Sequence, residues 1–208
     1  MATFEVYGGK RLKGELHPQG AKNEALQILC AVLLTPKPVT IKNIPNIRDV
    51  NKLIELLQGM GVDVVRKSQS ECVFQAANID IDYLTTDDFK IKAAAIRGSI
   101  MVVGPLLARY DKAYAPKPGG DKIGRRRLDT HFLGFEKLGA KFNFDSKDNF
   151  FTIEGKNMRG AYMLLDEASV TGTANILMAS VLTPGKTTIF NAACEPYVQQ
   201  LCKMLVSM

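Results

Sequence analysis

A nine-residue segment near the start of the chain occurs again, with small changes, near its end. Residues Ile28–Pro36 have the sequence ILCAVLLTP and residues Ile176–Pro184 have ILMASVLTP. The separation between Ile28 and Ile176 defines the long repeat interval. Four further pairs match at this interval: Ile41 with Ile189, Asn43 with Asn191, Leu53 with Leu201, and Leu57 with Leu205. This internal repeat constrains the fold strongly, because each copy is expected to form the same supersecondary unit.

Half of the long repeat interval predicts a middle copy, and the sequence contains one in looser form. Val32-Leu33 aligns with Leu106-Leu107 at half the interval. Met60-Gly61-Val62 aligns with Leu138-Gly139-Ala140, which lies four positions further along the chain than half the interval predicts. The middle copy has therefore gained a short insertion between these points, and we place it near residues 117–127.

Each copy has the pattern of one unit with the order strand, helix, strand, helix, strand, strand, which predicts an α/β fold. The first copy is predicted to contain a strand over Gly14–His17, a helix over Ala21–Leu34, a strand over Val39–Asn43, a helix over Arg48–Met60, and a hairpin of Val62–Arg66 with Glu71–Ala76. The second spans Ile79–Glu154, with helices over Ile91–Leu107 and Leu128–Leu138, and the third begins near Ala161, with helices over Val170–Leu182 and from Glu195 onward. The third unit reaches Met208 without its closing hairpin, so we expect the working protein to be longer.

The composition excludes several classes of protein. Hydrophobic residues make up 46% and charged residues 23% of the chain, with a mean hydropathy of −0.02, which argues against a disordered or fibrous protein. The longest nearly uncharged apolar stretch, Ile100–Ala108, is short beside the roughly 20 residues of a membrane-spanning helix. Because the first residues also lack the pattern of a signal peptide, we expect a cytoplasmic protein with no membrane partner.

Charge and cysteine usage narrow the expected ligands. The four cysteines include no CxxC pair and the chain has only two histidines, so we expect no metal site. The net charge of +6 favours an anionic partner. The densest basic run, Lys122–Arg127, has no interleaved aromatic residues of the kind that stack on bases, so we expect no nucleic acid.

Three predicted helix starts fall at related positions in the repeat. Lys22 and Asn23 align with Val170 and Thr171 at the long repeat interval, and Asn23 aligns with Arg97 at half of it. If the three N-termini point the same way, their free N–H groups and positive dipole ends converge on one anion site. Lys22 and Arg97 would add full charges to that site.

Hydroxyl groups surround the third helix start, where Ser169, Thr171 and Thr173 flank Gly172. These side chains could donate hydrogen bonds to a phosphate or diphosphate. Taken alone, Ser169 is better explained as an N-cap and Lys22 as a solvated lysine in a first helical turn. Their coincidence under the repeat favours a binding site.

The inserted segment is predicted to be a long loop. Residues Pro116–Arg127 include two prolines and three glycines, and loops of this type often close over a site and carry reactive groups. Asp121 is the candidate acid of this loop, although a Gly-Gly-Asp sequence also suits a simple turn. Arg125–Arg127 could bind a phosphate bidentately or form a solvated helix start.

Four ordered motifs together resemble the enolpyruvyl transferase family, and within it the members that act on UDP-N-acetylglucosamine. They are Gly20–Leu26, the pair Arg97–Ile100 and Gly104–Leu106, the loop Pro118–Gly124, and Asn191–Pro196. The resemblance extends over the whole chain but over only the front half of the family's length. It implies an inside-out α/β barrel lobe of βαβαββ units, two of them complete here and the third truncated. Residues 21–208 would form this first lobe, and residues 1–20 would pack with the second lobe.

The resemblance also implies roles for individual residues. Lys22 is similar to the family's lysine that contacts phosphoenolpyruvate, and Arg97 and Arg126 are similar to its phosphate-binding arginines. Asn23 would contact the amino-sugar nucleotide. The remaining substrate contacts implied are Arg127, Leu128, Asp129 and Thr130 for uridine, and Ser169, Val170 and Thr171 for the diphosphate.

Four positions depart from the pattern that most members show. Asp121 stands where most members have Cys and a minority have Asp. Arg127 replaces a common Pro, Thr171 a common Gly, and Glu167 a common Lys. These departures concern the nucleotide end more than the phosphoenolpyruvate end, so we expect the two ends to differ in how closely they follow the family.

The chemistry implied by the resemblance is transfer of the enolpyruvyl group of phosphoenolpyruvate to the 3-hydroxyl of UDP-N-acetylglucosamine, with no metal or cofactor. Lys22 and Arg97 would stabilise charge at the reacting centre and Asp121 would act as the general acid. Two alternatives remain: a transferase like 5-enolpyruvylshikimate-3-phosphate synthase, and a non-catalytic module that binds anions or nucleic acid. Without the missing second lobe we expect this chain to be inactive.

Overall fold

The computed structural model describes residues 3–116, 128–147 and 149–208, which form seven α-helices and eight β-strands. The helices are α1 (Lys22–Ala31), α2 (Arg48–Gly59), α3 (Asp87–Ala94), α4 (Val103–Tyr110), α5 (Asp129–Leu138), α6 (Val170–Ser180) and α7 (Pro196–Ser207). The strands are β1 (Val39–Ile41), β2 (Asp63–Arg66), β3 (Cys72–Gln75), β4 (Lys112–Pro116), β5 (Lys141–Asp145), β6 (Phe150–Glu154), β7 (Tyr162–Leu164) and β8 (Thr188–Phe190). Three short 3₁₀ helices lie at Val32–Leu34, Tyr83–Thr85 and Arg97–Val102.

The sheets repeat as the sequence does. The first has the order β1-β3-β2 and the second β4-β6-β5, and both are antiparallel. In each, the last strand of the unit lies in the middle and contributes buried side chains, Phe74 in the first and Ile153 in the second. The third sheet is the parallel pair β7-β8. The predicted α/β class is confirmed, and closure of the units into a barrel stays a prediction.

Residues with a left-handed backbone mark equivalent points of the units. Asn43 and Asn191, which are one long repeat interval apart, both have φ of 58° just after the strands β1 and β8. Gly61 and Gly139, the aligned glycines of the first and middle copies, have φ of 94° and 101° and follow the helices α2 and α5. Glycine suits the second position because it adopts positive φ without steric cost. Both alignments found in the sequence are therefore alignments of backbone geometry.

Two predicted elements are wrong. Residues Gly14–His17 form no strand, because they lie in an exposed irregular stretch with no neighbouring strand to bond. The second copy also lacks a strand before α3 among the described residues, so within that part of the chain only the third unit has its leading strand, β7.

The predicted helix Ile91–Leu107 is instead α3, a break, a 3₁₀ helix and α4. The Thr86 hydroxyl accepts a hydrogen bond from the Phe89 amide, so this N-cap starts α3 earlier than apolar periodicity suggested. Ile96 then has extended backbone. Pro105 has no N–H to donate, and it lies in the first turn of α4, where none is required. The break makes Arg97 the first residue of a new helical segment.

The central helix α6 packs closely against two neighbours. Its partners α4 and α5 each present a glycine at the crossing. A Cβ on Gly104 would overlap the Asn175 carbonyl oxygen, and a Cβ on Gly134 would overlap the Ile176 side chain. The backbones therefore approach closely, and the start of α6 is set firmly against the other units.

No single described helix is both long and apolar enough to cross a membrane, although the bent pair of segments Asp87–Ala94 and Arg97–Tyr110 reaches that length and composition when taken together.

Candidate functional site

The three helix starts line one cavity of about 740 Å³. Lys22 begins α1, Arg97 begins the 3₁₀ helix that precedes α4, and Val170 begins α6. These positions confirm the helix starts predicted from the repeat. The cavity is lined by Lys22, Asn23, Leu26, Gln27, Arg48, Asp49, Lys52, Ala94, Ala95, Ile96, Arg97, Gly98, Ile100, Met101, Val170, Thr171 and Tyr197.

The charge of this lining suits an anion. Among the described residues that line the cavity, four cationic side chains and one carboxylate give a formal charge of +3. The four cations are Lys22, Arg48, Lys52 and Arg97, and the carboxylate is Asp49. Backbone N–H groups in the first turn of α1 and α6 have no partner within their helices, so the dipoles add to the positive potential.

Lys22 is held by an ion pair with the second helix of its unit. Its Nζ lies 2.5 Å from Asp49 Oδ2, and the two side chains are 47% and 42% exposed. Both groups remain in contact with solvent. The pair therefore orients Lys22, but breaking it costs little free energy. An anion in the cavity can compete with Asp49 for the ammonium group.

The start of α6 has a buried network in place of an ion pair. The His131 Nε2 atom lies 3.1 Å from Thr171 Oγ1, and its Nδ1 atom lies 3.0 Å from Asn175 Nδ2. His131 is 1% exposed and Asn175 is fully buried. Burial, with a smaller contribution from the nearby charge of Arg97, lowers the pKa of His131 to about 4. The imidazole is therefore neutral at pH 7.

The other predicted residues of the described part lie outside this lining. Ser169 caps α6, because its Oγ accepts a hydrogen bond from the Gly172 amide at 3.2 Å. Thr130 is buried, and its Oγ1 lies 3.0 Å from Asp166 Oδ1 and 3.3 Å from Glu167 Oε1. Leu128 is half-buried and Asp129 is exposed, at the start of α5.

Three predicted residues, Asp121, Arg126 and Arg127, lie outside the described residues. The structure thus brings together Lys22, Asn23, Arg97, Val170 and Thr171, and their roles toward a ligand stay predictions. Among the described residues, no three His, Cys, Asp or Glu side chains are grouped so that they could hold a metal ion.

Sequence reasoning missed the second helices of the first and third units. Arg48, Asp49 and Lys52 of α2 and Tyr197 of α7 also line the cavity. Asp49 and Tyr197 are one long repeat interval apart, the same interval that aligns Lys22 with Val170. The same repeat, applied to the second helices, would have found both.

An unpaired polar atom lies beside the cavity. Gln27 is one turn beyond Asn23 on α1 and is 1% exposed, and its Oε1 is buried without a hydrogen-bond partner. Leaving a buried hydrogen-bond acceptor without a donor is costly in free energy.

Comparison with known families and curated proteins gives consistent matches. Residues 6–208 match the family EPSP synthase (3-phosphoshikimate 1-carboxyvinyltransferase). The chain is 59% identical over 205 residues to UDP-N-acetylglucosamine 1-carboxyvinyltransferase of Bacteroides fragilis and 58% identical over 208 residues to that of Porphyromonas gingivalis. These matches cover 99% and 100% of the chain but 47% and 48% of the two relatives. The chain thus spans about half the length of the curated relatives it matches.

Solved structures show the same fold at low identity. The enolpyruvyl transferase NikO from Streptomyces tendae is 18% identical, with a TM-score of 0.77 over 96% of this chain and 45% of its own. An EPSP synthase from Acinetobacter baumannii is 16% identical, with a TM-score of 0.67 over 93% of this chain and 44% of its own.

Proposed function

The chain belongs to the EPSP synthase (3-phosphoshikimate 1-carboxyvinyltransferase) family, and from its 59% identity to a relative of that name we propose that the protein carrying it is a UDP-N-acetylglucosamine 1-carboxyvinyltransferase. It transfers the enolpyruvyl group of phosphoenolpyruvate to the 3-hydroxyl of UDP-N-acetylglucosamine and releases phosphate. The cationic cavity at three helix starts is the observation that supports this most directly, since both substrates are anions. In this proposal the protein acts in the cytoplasm, in peptidoglycan synthesis, and so in cell shape and division.

The reaction is an addition followed by an elimination. The sugar hydroxyl gives its proton to a base as its oxygen adds to C2 of phosphoenolpyruvate, and C3 accepts a proton from the general acid. The intermediate then loses phosphate from C2 and a proton from C3. Lys22 and Arg97 bind the phosphate and carboxylate and stabilise the charge that develops there. Asp121 donates the proton to C3 as general acid, and Arg126 adds a further phosphate contact. No step requires a metal or cofactor.

The nucleotide sugar would extend from this centre along the first turn of α6. Val170 and Thr171, which line the cavity, contact the diphosphate together with Ser169. Asn23 contacts the amino sugar, and the segment Arg127–Thr130 contacts uridine. Because the Thr130 hydroxyl already faces Asp166 and Glu167, Thr130 contacts the uridine through groups other than its hydroxyl.

The protein also needs a second lobe in this proposal. Residues 1–20 pack against it, and residues 21–208 form the first lobe. The irregular stretch of the described residues exposes five large apolar side chains, which would be unfavourable without a covering surface. These are Phe4, Val6, Tyr7, Leu12 and Leu16, each more than 80% exposed.

Phosphate release by the full-length protein tests the proposal. Phosphoenolpyruvate with UDP-N-acetylglucosamine should release phosphate, and Lys22→Ala should remove most of this activity. Lys67→Ala, which changes an exposed lysine on the β2–β3 turn, is the matched control and should leave it intact. Release with shikimate 3-phosphate in place of the nucleotide sugar would select the alternative transferase, and release with neither would reject both.

A further inference from the structure

The side-chain amide of Asn175 has only one orientation that its surroundings permit. Its Oδ1 accepts a hydrogen bond from the Gly104 amide at 2.8 Å, and its Nδ2 donates to the Ile100 carbonyl at 2.8 Å. An amide N–H can only donate and a carbonyl can only accept, so exchanging O and N would place like groups against each other. The backbone around α4 therefore determines which way Asn175 points.

This orientation determines the tautomer of His131. The second N–H of Asn175 Nδ2 points to His131 Nδ1 at 3.0 Å, so Nδ1 accepts. A neutral imidazole carries one proton, which must then be on Nε2. The lowered pKa of His131 agrees with the neutral form at physiological pH.

The tautomer in turn directs the hydroxyl of Thr171. His131 Nε2–H donates to Thr171 Oγ1 at 3.1 Å, so that oxygen accepts a hydrogen bond and its own O–H must find another acceptor. Thr171 is exposed and lines the cavity together with Lys22 and Arg97. The result is a neutral donor at the cavity surface whose direction is determined by buried groups.

We propose that His131 and Asn175 are positioning residues that orient the Thr171 hydroxyl as a hydrogen-bond donor to a diphosphate oxygen of the ligand. The ligand class rests on the proposed function. The Asn175 contacts with Gly104 and Ile100 join α6 to α4, and the contact from His131 extends the network to Thr171. It reaches the cavity lining, where a ligand would use it.

Ligand affinity measured by calorimetry on the full-length protein tests the donor. Thr171→Val removes the hydroxyl at nearly constant volume and should weaken UDP-N-acetylglucosamine binding about 10- to 100-fold, the usual effect of a hydrogen bond to a charged group. Thr171→Ser should restore most of the affinity. Thr183→Val is the control, because that buried hydroxyl bonds to the Ala179 carbonyl and does not line the cavity. Equal affinities for Thr171→Val and the wild type would overturn the proposal.

A double-mutant cycle tests the positioning residues. His131→Asn keeps a polar side chain near the position of the imidazole Nδ1 but loses the Nε2–H donor to Thr171. It should weaken binding less than Thr171→Val does. Combined with Thr171→Val it should cause no additional loss, because both changes act through one hydroxyl. Additive losses, or a ¹⁵N NMR spectrum that shows His131 protonated on Nδ1, would contradict the relay.

Pyrophosphate as a second ligand separates this proposal from the proposed function. If UDP-N-acetylglucosamine does not bind but pyrophosphate binds and loses affinity in Thr171→Val, the enzyme assignment fails and the donor assignment is supported. If neither ligand binds the wild-type protein, both fail. If both bind and Thr171→Val affects neither, only the donor assignment fails.

Discussion

The starts of α1 and α6 are equivalent in the repeat, line the same cavity, and offer different chemistry to it. The start of α1 contributes a full charge, Lys22, held by a half-exposed ion pair with Asp49. The first turn of α6 contains no charged residue, and its Thr171 is held by a neutral, buried network. The repeat thus determines where helix N-termini meet. The side chains determine whether a helix start supplies a full charge or an oriented hydrogen-bond donor. An exposed ion pair can exchange partners, whereas a buried network resists rearrangement.

The largest expected effect is on the stability of the α6 side. Asn175→Leu leaves the Gly104 amide, the Ile100 carbonyl and His131 Nδ1 without their partner in a fully buried position. We expect the free energy of unfolding to fall by about 3 to 5 kcal/mol, since each unsatisfied buried group costs about 1 to 3 kcal/mol. Urea unfolding followed by circular dichroism measures this.

The matched control is Asn23→Leu on the α1 side, because Asn23 is exposed at the start of its helix. It should change stability by no more than about 0.5 kcal/mol. Similar losses for the two asparagine variants would remove the distinction between a rigid and an adjustable helix start.

The next effect concerns catalysis with phosphoenolpyruvate and the two cations Lys22 and Arg97. Lys22→Ala or Arg97→Ala should each weaken transition-state stabilisation with phosphoenolpyruvate by about 2 to 4 kcal/mol in the full-length protein, as expected for a charged donor in a site that excludes water. The double variant should lose less than the sum, because residues that bind one anion couple by about 0.5 to 3 kcal/mol. Steady-state kinetics gives all three values. Strict additivity would mean that the two cations act on different anions.

The pH dependence of stability distinguishes the α6 start, which contacts the buried His131, from the α1 start, and it needs no ligand. The pKa of His131 falls from 6.5 to about 4 on folding, so between these values the unfolded chain binds a proton that the folded chain does not. This contribution is fully present above pH 6.5 and is lost as the pH falls toward 4, amounting to about 3 kcal/mol. Unfolding measured across that window shows it. His131→Gln should flatten this part of the profile, and an unchanged slope would assign the dependence to other groups.

The repeat predicted most of the fold and the helix starts of the cavity, for the same reason. Helices and strands that are one long repeat interval apart keep the same backbone geometry, so Lys22 and Val170 were placed correctly from sequence alone. The network at Thr171 was not predictable, because His131 and Asn175 are distant in sequence and meet only through the packing of α5 on α6. The strand expected at Gly14–His17 failed because a strand needs a partner, which local sequence does not specify.

The broken helix before α4 shows a different limit of periodicity. Apolar spacing runs through the break, so it predicted one helix over Ile91–Leu107. The N-cap Thr86 and the prolyl residue Pro105 were both visible in the sequence and carry the correct signals. Capping and proline chemistry therefore outweigh apolar periodicity at this point of the chain.

The smallest expected effect is that of Asp49→Asn on the α1 side. Because the Lys22–Asp49 pair is about half exposed, its loss should lower stability by less than about 1 kcal/mol. The lining residues that the structure describes would then include four cations and no carboxylate, so pyrophosphate should bind more tightly, with a gain that declines as salt is added. Thr171→Val should show the reverse result, weaker binding, because it removes the oriented hydrogen-bond donor and leaves the charge of the lining unchanged. Weaker pyrophosphate binding in Asp49→Asn would show that the carboxylate orients Lys22 for the anion, and the α1 start would then depend on fixed geometry as the α6 start does.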